Sequence, residues 1–122
     1  MRAPAVAGYF YPSERKELEK MLMSFFNRAR KEVKERENAI GIVVPHAGYI
    51  YSGLTAAYAF ASLPKNPKST IVIIGPNHTG YGAELSVYPG GKWKTPLGEI
   101  EVDEAFVNEL IKNCEIAEKD EV

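Results

Sequence analysis

The chain has 122 residues, of which 45% are hydrophobic and 25% are charged, and its 15 basic residues nearly balance its 16 acidic ones. This composition predicts one soluble globular domain and argues against a disordered or fibrous protein, while the net charge of −1 argues against nucleic-acid binding. The apolar runs have the length of strands, far below the ~20 residues that cross a bilayer, so we expect no membrane association and a cytoplasmic location.

The N-terminal third is predicted to be an irregular segment followed by a helix. Residues 1–12 contain three consecutive aromatic residues between Gly8 and Pro12, and we expect them to pack on the body of the domain. Ser13 is predicted to be the N-cap of the helix, because the residues that follow it have a helical apolar spacing. The apolar residues of this helix are Leu18, Met21, Leu22, Phe25, Phe26, Ala29 and Val33.

The middle of the chain has the pattern of a strand, a helix and a second strand. The segments AIGIVV at 39–44 and TIVIIG at 70–75 are short, rich in β-branched residues and apolar on both faces, as buried parallel strands are. Between them, SGLTAAYAFASL at 52–63 has a helical apolar period. These three segments predict a βαβ unit with two parallel strands.

The last third consists of short alternating segments and glycine turns. AELSVYPGGKW at 83–93 predicts a strand, a Gly-Gly turn and the start of a second strand, and TPLGEIEVD at 95–103 predicts another turn and strand. Asp103 is predicted to cap a final helix. With the βαβ unit, these elements predict an α/β fold in which a parallel or mixed central sheet is flanked by helices.

Both histidines of the chain, His46 and His78, follow a predicted strand by two to four residues. The loops after parallel strands emerge at the same edge of a sheet, and neighbouring strands lie roughly 4.8 Å apart, so the two imidazoles are expected to converge. Two imidazoles and a carboxylate would form the facial triad of non-haem Fe(II), and other third ligands would suit zinc. A third ligand is required in either case.

Polar residues beside the histidines are candidates for binding a substrate. Tyr49, Asn77 and Thr79 offer hydrogen-bonding groups that would orient a ligand. Turn formation and packing explain the same residues, so the spacing alone leaves a metal site and an incidental structural role equally open.

Other kinds of site receive little support from the sequence. Ser52 and Ser86 are candidate nucleophiles, but neither lies in a G-x-S-x-G elbow. Cys114 is the single cysteine, which excludes an intrachain disulfide and a cysteine-cluster zinc site, and we expect it to be inert.

Four motifs, in order and spacing, resemble the N-terminal part of the Memo-like protein family: RAPAVAGYFYP, VVPHAGYIYSG, IIGPNHTGYG and WKTPLGEIEVD. The resemblance covers essentially all 122 residues. It implies a fold similar to the class III extradiol dioxygenases, which use non-haem iron to open catechol rings, although most Memo-like members have no settled activity. It also implies that His46 and His78 are the two histidines of the family's metal pocket, which would hold a divalent metal such as iron.

The resemblance further implies that this pocket is incomplete. Family members are usually more than twice as long, and their other pocket residues, an acid near a histidine and a later cysteine, lie in the part beyond Val122. Cys114 does not lie in that cysteine's motif. We therefore expect a single Memo-like domain over residues 1–122, truncated at its C-terminus, which forms a homo-oligomer through an exposed sheet edge.

Three functional hypotheses follow, and they leave open whether the chain is an enzyme. The first is a dioxygenase-like enzyme, or its remnant, in which His46 and His78 hold the metal and a small aromatic molecule is the substrate. The second is a module that binds a peptide or small molecule without catalysis, with Tyr49 and the N-terminal aromatic residues Tyr9, Phe10 and Tyr11 lining its groove. The third is a fragment with no activity of its own.

Overall fold

A computed structural model describes residues 1–65 and 70–121. The described helices and strands are α1 (Arg15–Glu32), α2 (Tyr49–Ala61), β1 (Leu85–Val87), β2 (Lys92–Thr95), β3 (Gly98–Glu101), α3 (Glu104–Asn113) and β4 (Ala117–Lys119). β1 pairs with β4 in parallel, and β2 pairs with β3 across a tight turn. This combination of helices with strand pairs of both directions confirms the predicted α/β class.

The chain divides into two compact units. The helical unit comprises the described residues of 4–67 and 95–98, and includes α1 and α2. The strand unit comprises the described residues of 1–3, 68–94 and 99–122, and includes α3 and the β1–β4 pair. Within the described ranges, no helix combines the length and the apolar content needed to cross a bilayer.

The helical unit is held together by small residues at the contact between α1 and α2. Ala29 of α1 is fully buried, and Ala57 and Ala61 of α2 are nearly so. The aromatic residues packed against these alanines are Phe25, Phe26 and Tyr58. Gly53 allows the helices to approach closely, since a Cβ atom there would lie 2.5 Å from Cε2 of Phe25. The contact confirms the helical apolar spacing predicted for α1.

The starts of α1 and α2 differ from the predicted ones. Helix α1 begins at Arg15 with Glu14 as its N-cap, so the prediction that Ser13 caps it is wrong by one residue. An N-cap must immediately precede the first helical residue, and Glu14 has the extended backbone of that position. Helix α2 begins at Tyr49 rather than at residue 52, because the carbonyl of Gly48 accepts hydrogen bonds from the amides of Tyr51 and Ser52.

The two segments predicted as the parallel strands of a βαβ unit are not assigned as strands. Residues 39–44 and 70–75 lie in different units, and neither forms a strand within its unit. Ile40 and Ile73 are fully or almost fully exposed. Apolar composition on both faces indicates a tendency to be buried, but a strand also needs a neighbour that completes its hydrogen bonds.

The strand unit instead contains a parallel pair closer to the C-terminus. β1 and β4 run in register, with Leu85 opposite Ala117 and Val87 opposite Lys119. Parallel strands require a long crossover, which residues 88–116 provide with α3 as their last element. The strand starts predicted on both sides of the Gly-Gly turn are confirmed, although β1 pairs with β4 rather than with β2.

Asp103 caps α3 as predicted, and this cap leads to a prediction about pH. The Asp103 Oδ1 atom accepts a hydrogen bond of 2.9 Å from the amide of Phe106, and Oδ2 accepts one from the hydroxyl of Thr70. The Thr70 hydrogen bond, followed by that of the Phe106 amide, lowers the pKa of Asp103 below its ordinary value of 3.8.

Because a lowered folded-state pKa favours the charged form, the stability that Asp103 contributes is complete above the unfolded pKa and is lost as pH falls through the folded pKa. We expect thermal unfolding measured between about pH 6 and pH 2 to show the wild type losing stability relative to Asp103→Asn below about pH 4. Asparagine retains a capping oxygen without a titrating group. A difference between the two proteins that does not change with pH would contradict the expectation.

Candidate functional site

The turn Pro45–Gly48, which contains His46, leads directly into α2 and is fixed from two sides. The buried Ser52 hydroxyl donates a hydrogen bond of 2.9 Å to the carbonyl of Ala47. The Tyr49 amide donates one of 2.8 Å to the carbonyl of Phe10 in the N-terminal segment. Gly48 is buried, and a Cβ atom there would lie 3.6 Å from the Phe10 ring. His46 is exposed on this turn, and the hydrogen bonds on either side of it fix the backbone that carries it.

Tyr49 is the first residue of α2 and is partly buried. Its ring centroid lies 5.2 Å from that of Tyr11, and the two ring planes are tilted by 40°. Burial raises the pKa of the Tyr49 hydroxyl, and the neighbouring Tyr11 raises it further. Tyr49 therefore remains a phenol at neutral pH and can donate a hydrogen bond to an oxygen of a ligand.

The other N-terminal aromatic residues do not share this packed position. Tyr9 is 90% exposed and Phe10 is about half exposed, whereas Tyr11 contacts Tyr49. The predicted packing on the body of the domain is thus found for Tyr11 and not for Tyr9. Whether any of these rings contacts a ligand stays a prediction.

The loop Asn77–Tyr81, which contains His78, is built around the side chain of Asn77. The Oδ1 atom of Asn77 accepts three hydrogen bonds of 3.0 Å, from the amide and the hydroxyl of Thr79 and from the amide of Gly80. Its Nδ2 group donates a bond of 2.7 Å to the carbonyl of Tyr81. Gly80 has a φ of +73°, a conformation that favours glycine, so it lets the loop close around Asn77.

These bonds give Asn77 and Thr79 a role in forming the loop. The hydroxyl of Thr79 donates to Asn77 and accepts a bond of 3.2 Å from the amide of Tyr81. Their predicted contact with a substrate stays a prediction. His78 lies between these two residues and is exposed, so it too is carried by a hydrogen-bonded loop.

The two histidines lie in different units, so the convergence of their rings stays a prediction. His46 belongs to the helical unit and His78 to the strand unit. Over residues 1–65 and 70–121, no three His, Cys, Asp or Glu side chains are grouped so that they could hold a metal ion. Two imidazoles alone would leave the coordination shell of a metal ion unfilled.

Two polar residues, Ser52 and Asp120, have structural roles that the sequence pattern does not predict. Ser52, weighed above as a nucleophile, instead fixes the His46 turn. Asp120 accepts hydrogen bonds from the hydroxyl of Ser86 (3.0 Å) and the amide of Ala83 (3.2 Å), while its own amide donates to Val87. No local sequence signal identifies Asp120, because its partners lie more than thirty residues away in the chain.

Comparison with known proteins gives one family. The family model described as Memo-like protein matches residues 2–122. A MEMO1 family protein of Thermotoga maritima is 47% identical over 98% of this chain and 46% of its own length. One from Thermococcus onnurineus is 47% identical over the whole chain and 42% of its own length, and one from Methanocaldococcus jannaschii is 45% identical over 99% and 45%.

The chain therefore spans less than half of the length of these relatives. The match nevertheless covers nearly every residue of the chain, including all four motifs quoted above and both histidine loops. It confirms the resemblance of these motifs to the Memo-like protein family. The chain belongs to the Memo-like protein family.

Proposed function

We propose that the chain binds a divalent metal ion through His46 and His78. The observation that supports this most strongly is that each exposed histidine lies on a short loop ordered by a neighbouring polar side chain, Ser52 for the first and Asn77 for the second. Imidazole nitrogens are ligands for Fe²⁺ and Zn²⁺, and ligands on ordered backbone lose less conformational entropy when they bind.

The proposed function is metal binding rather than catalysis by this chain alone. Two imidazoles leave open at least one further protein ligand, and the described residues contain no group of three metal-binding side chains. The relatives have additional chain, more than half of their length, which lies outside the match. We propose that the dioxygenase-like activity implied by the family's fold would require ligands from such a region, and we assign no catalytic step to these residues.

Tyr49 is proposed to contact whatever small molecule or peptide the metal site receives. It lies three residues after His46 and is partly buried, and its hydroxyl, like that of an ordinary tyrosine, is protonated at neutral pH. A protonated phenol donates a hydrogen bond to a carboxylate, phenolate or carbonyl oxygen of a ligand. This role applies equally to a metal-dependent site and to a module that binds without metal.

A metal titration distinguishes a metal-dependent site from a module that binds without metal. We expect calorimetry with Zn²⁺, and with Fe²⁺ under anaerobic conditions, to show one ion per chain, and either His46→Ala or His78→Ala to weaken binding by about tenfold or more. Lys16→Ala, an exposed change on α1, is the control and should bind as the wild type does. Binding that is unaffected by either histidine variant would contradict the proposal.

A further inference from the structure

The outer face of α1 carries a stripe of basic side chains. Buried Ala29 marks the face of α1 that packs on α2, and the stripe lies on the opposite side of the helix. Positions 16, 20, 23, 27 and 31 recur every three or four residues, which places them on one helix face. We refer to this stripe, which lines one shallow depression, as the basic face: Lys16, Lys20, Met23, Asn27, Arg28 and Lys31.

The four cations of the basic face present their charge to solvent. All four are exposed, and none of them makes an ion pair with a residue that the structure describes. Glu19 also lines the depression, but its Oε1 atom lies 2.8 Å from Nε of Arg15 and is neutralised there. The face is therefore strongly positive, although the net charge of the whole chain is −1.

An exposed methionine lies between two pairs of these charges. Met23 is 63% exposed, and no other large apolar side chain of α1 is exposed. Lys20 and Arg28, on either side of it, are eight residues apart, which is about 12 Å along a helix. The basic face thus has an apolar centre between charged ends. Protein interfaces have a similar plan, and methionine and arginine are enriched in them.

The charge and the methionine together indicate the chemistry of a partner. A membrane-binding helix inserts a broad apolar face into the lipid, whereas α1 packs its apolar face against α2. A nucleic acid would contact the cations through phosphates and would give Met23 no apolar partner. A polypeptide with carboxylates on both sides of an apolar side chain complements the charges and the methionine at once.

We propose that the basic face of α1 is a docking surface for an acidic polypeptide segment. Carboxylates of the segment contact the cation pairs at the two ends of the face, and an apolar side chain between them packs on Met23. The proposal uses no residue of either histidine loop, so it is independent of the metal proposal.

Fluorescence anisotropy with the full chain tests this assignment. The probe is a short labelled peptide in which two pairs of glutamates flank a leucine. We expect saturable binding with a Kd below about 0.1 mM at low salt, weakened about tenfold or more near 0.5 M salt because added ions screen exposed charges. The absence of saturable binding would overturn the proposal, and so would tighter binding to single-stranded DNA of matched length or to phosphatidylserine vesicles.

Matched variants locate the binding on α1. Lys20→Ala and Arg28→Ala should each weaken peptide binding about two- to fivefold, as is usual for exposed charge pairs, and together by about tenfold. Lys112→Ala removes an exposed lysine from α3 and should bind as the wild type does. Met23→Ala should weaken binding about threefold, whereas Met23→Leu should retain it.

Helix content measured by circular dichroism should be unchanged in these variants, because the substituted side chains are exposed. Equal effects of Lys20→Ala and Lys112→Ala would contradict a site on α1, and unchanged binding in Met23→Ala would contradict its apolar centre. Self-association of the chain that Lys20→Ala abolishes would assign the face to a second copy and would equally overturn the proposal.

Discussion

Replacing Ala29 with leucine is expected to destabilise the helical unit by about 2 kcal/mol. Ala29 is 0% exposed and lies where α1 meets α2, beside the nearly buried Ala57 and Ala61. Three additional carbon atoms cannot fit there unless the helices separate or side chains leave their preferred rotamers. Urea unfolding followed by far-UV circular dichroism would measure the loss.

Arg28→Leu provides the matched control for this change. It places the same residue one position earlier in α1, on the exposed side of the helix, where the stability should change by no more than about 0.5 kcal/mol. Equal losses in the two variants would mean that the alanine contact does not hold α1 and α2 together.

Replacing Asn77 with alanine is expected to release the loop that carries His78. The change removes one acceptor that serves Thr79 and Gly80 and one donor to Tyr81. We expect the amides of Thr79 and Gly80 to exchange about tenfold faster, because a loop without these bonds opens more often. Under the metal proposal, affinity for Zn²⁺ should also fall by about tenfold, since ordering of a ligand by its neighbours contributes to binding.

Asn77→Asp separates the two halves of this side chain. Aspartate keeps the Oδ1 acceptor and loses the donor to Tyr81, so protection of the Thr79 and Gly80 amides should remain close to that of the wild type. Unchanged exchange in Asn77→Ala would show that the loop is ordered by other contacts.

The elements that could be predicted from the sequence are those determined by neighbours in the chain. Asp103 caps α3 because its carboxylate and the Phe106 amide are three residues apart, a distance that the helix itself fixes. The apolar spacing of α1 likewise identified the face that packs on α2. The predicted N-cap of α1, Ser13, lies one residue before the observed N-cap, Glu14. Apolar spacing does not distinguish two adjacent N-cap positions.

The strands could not be predicted in this way, because strand formation depends on partners that are distant in the chain. Composition at 39–44 and 70–75 indicates segments that are stable when buried on both faces, but it carries no information about whether a neighbour is present. The pairing of β1 with β4, which places Leu85 opposite Ala117, is not predicted by the sequence pattern. Its strands are three residues long, so their own pattern is weak and their pairing depends on a distant crossover.

The sequence identified the two loops that carry the candidate histidines, but it did not identify the hydrogen bonds that order those loops. His46 and His78 were identified from their positions after apolar runs, and both are exposed on hydrogen-bonded loops. The bonds that order these loops involve Ser52 and Asn77, whose local roles depend on backbone angles that a sequence pattern does not specify. Asp120 depends on contacts with residues near 83–87 and had no local signal at all.

The most direct test of the metal proposal is a double-variant cycle for Zn²⁺ binding, measured by calorimetry on the wild type, His46→Ala, His78→Ala and the double variant. If both imidazoles bind one ion, either single change removes most of the affinity, and the second change weakens binding by no more than about twofold further. Two ions per wild-type chain, each lost with a different histidine and with independent effects, would contradict a shared site.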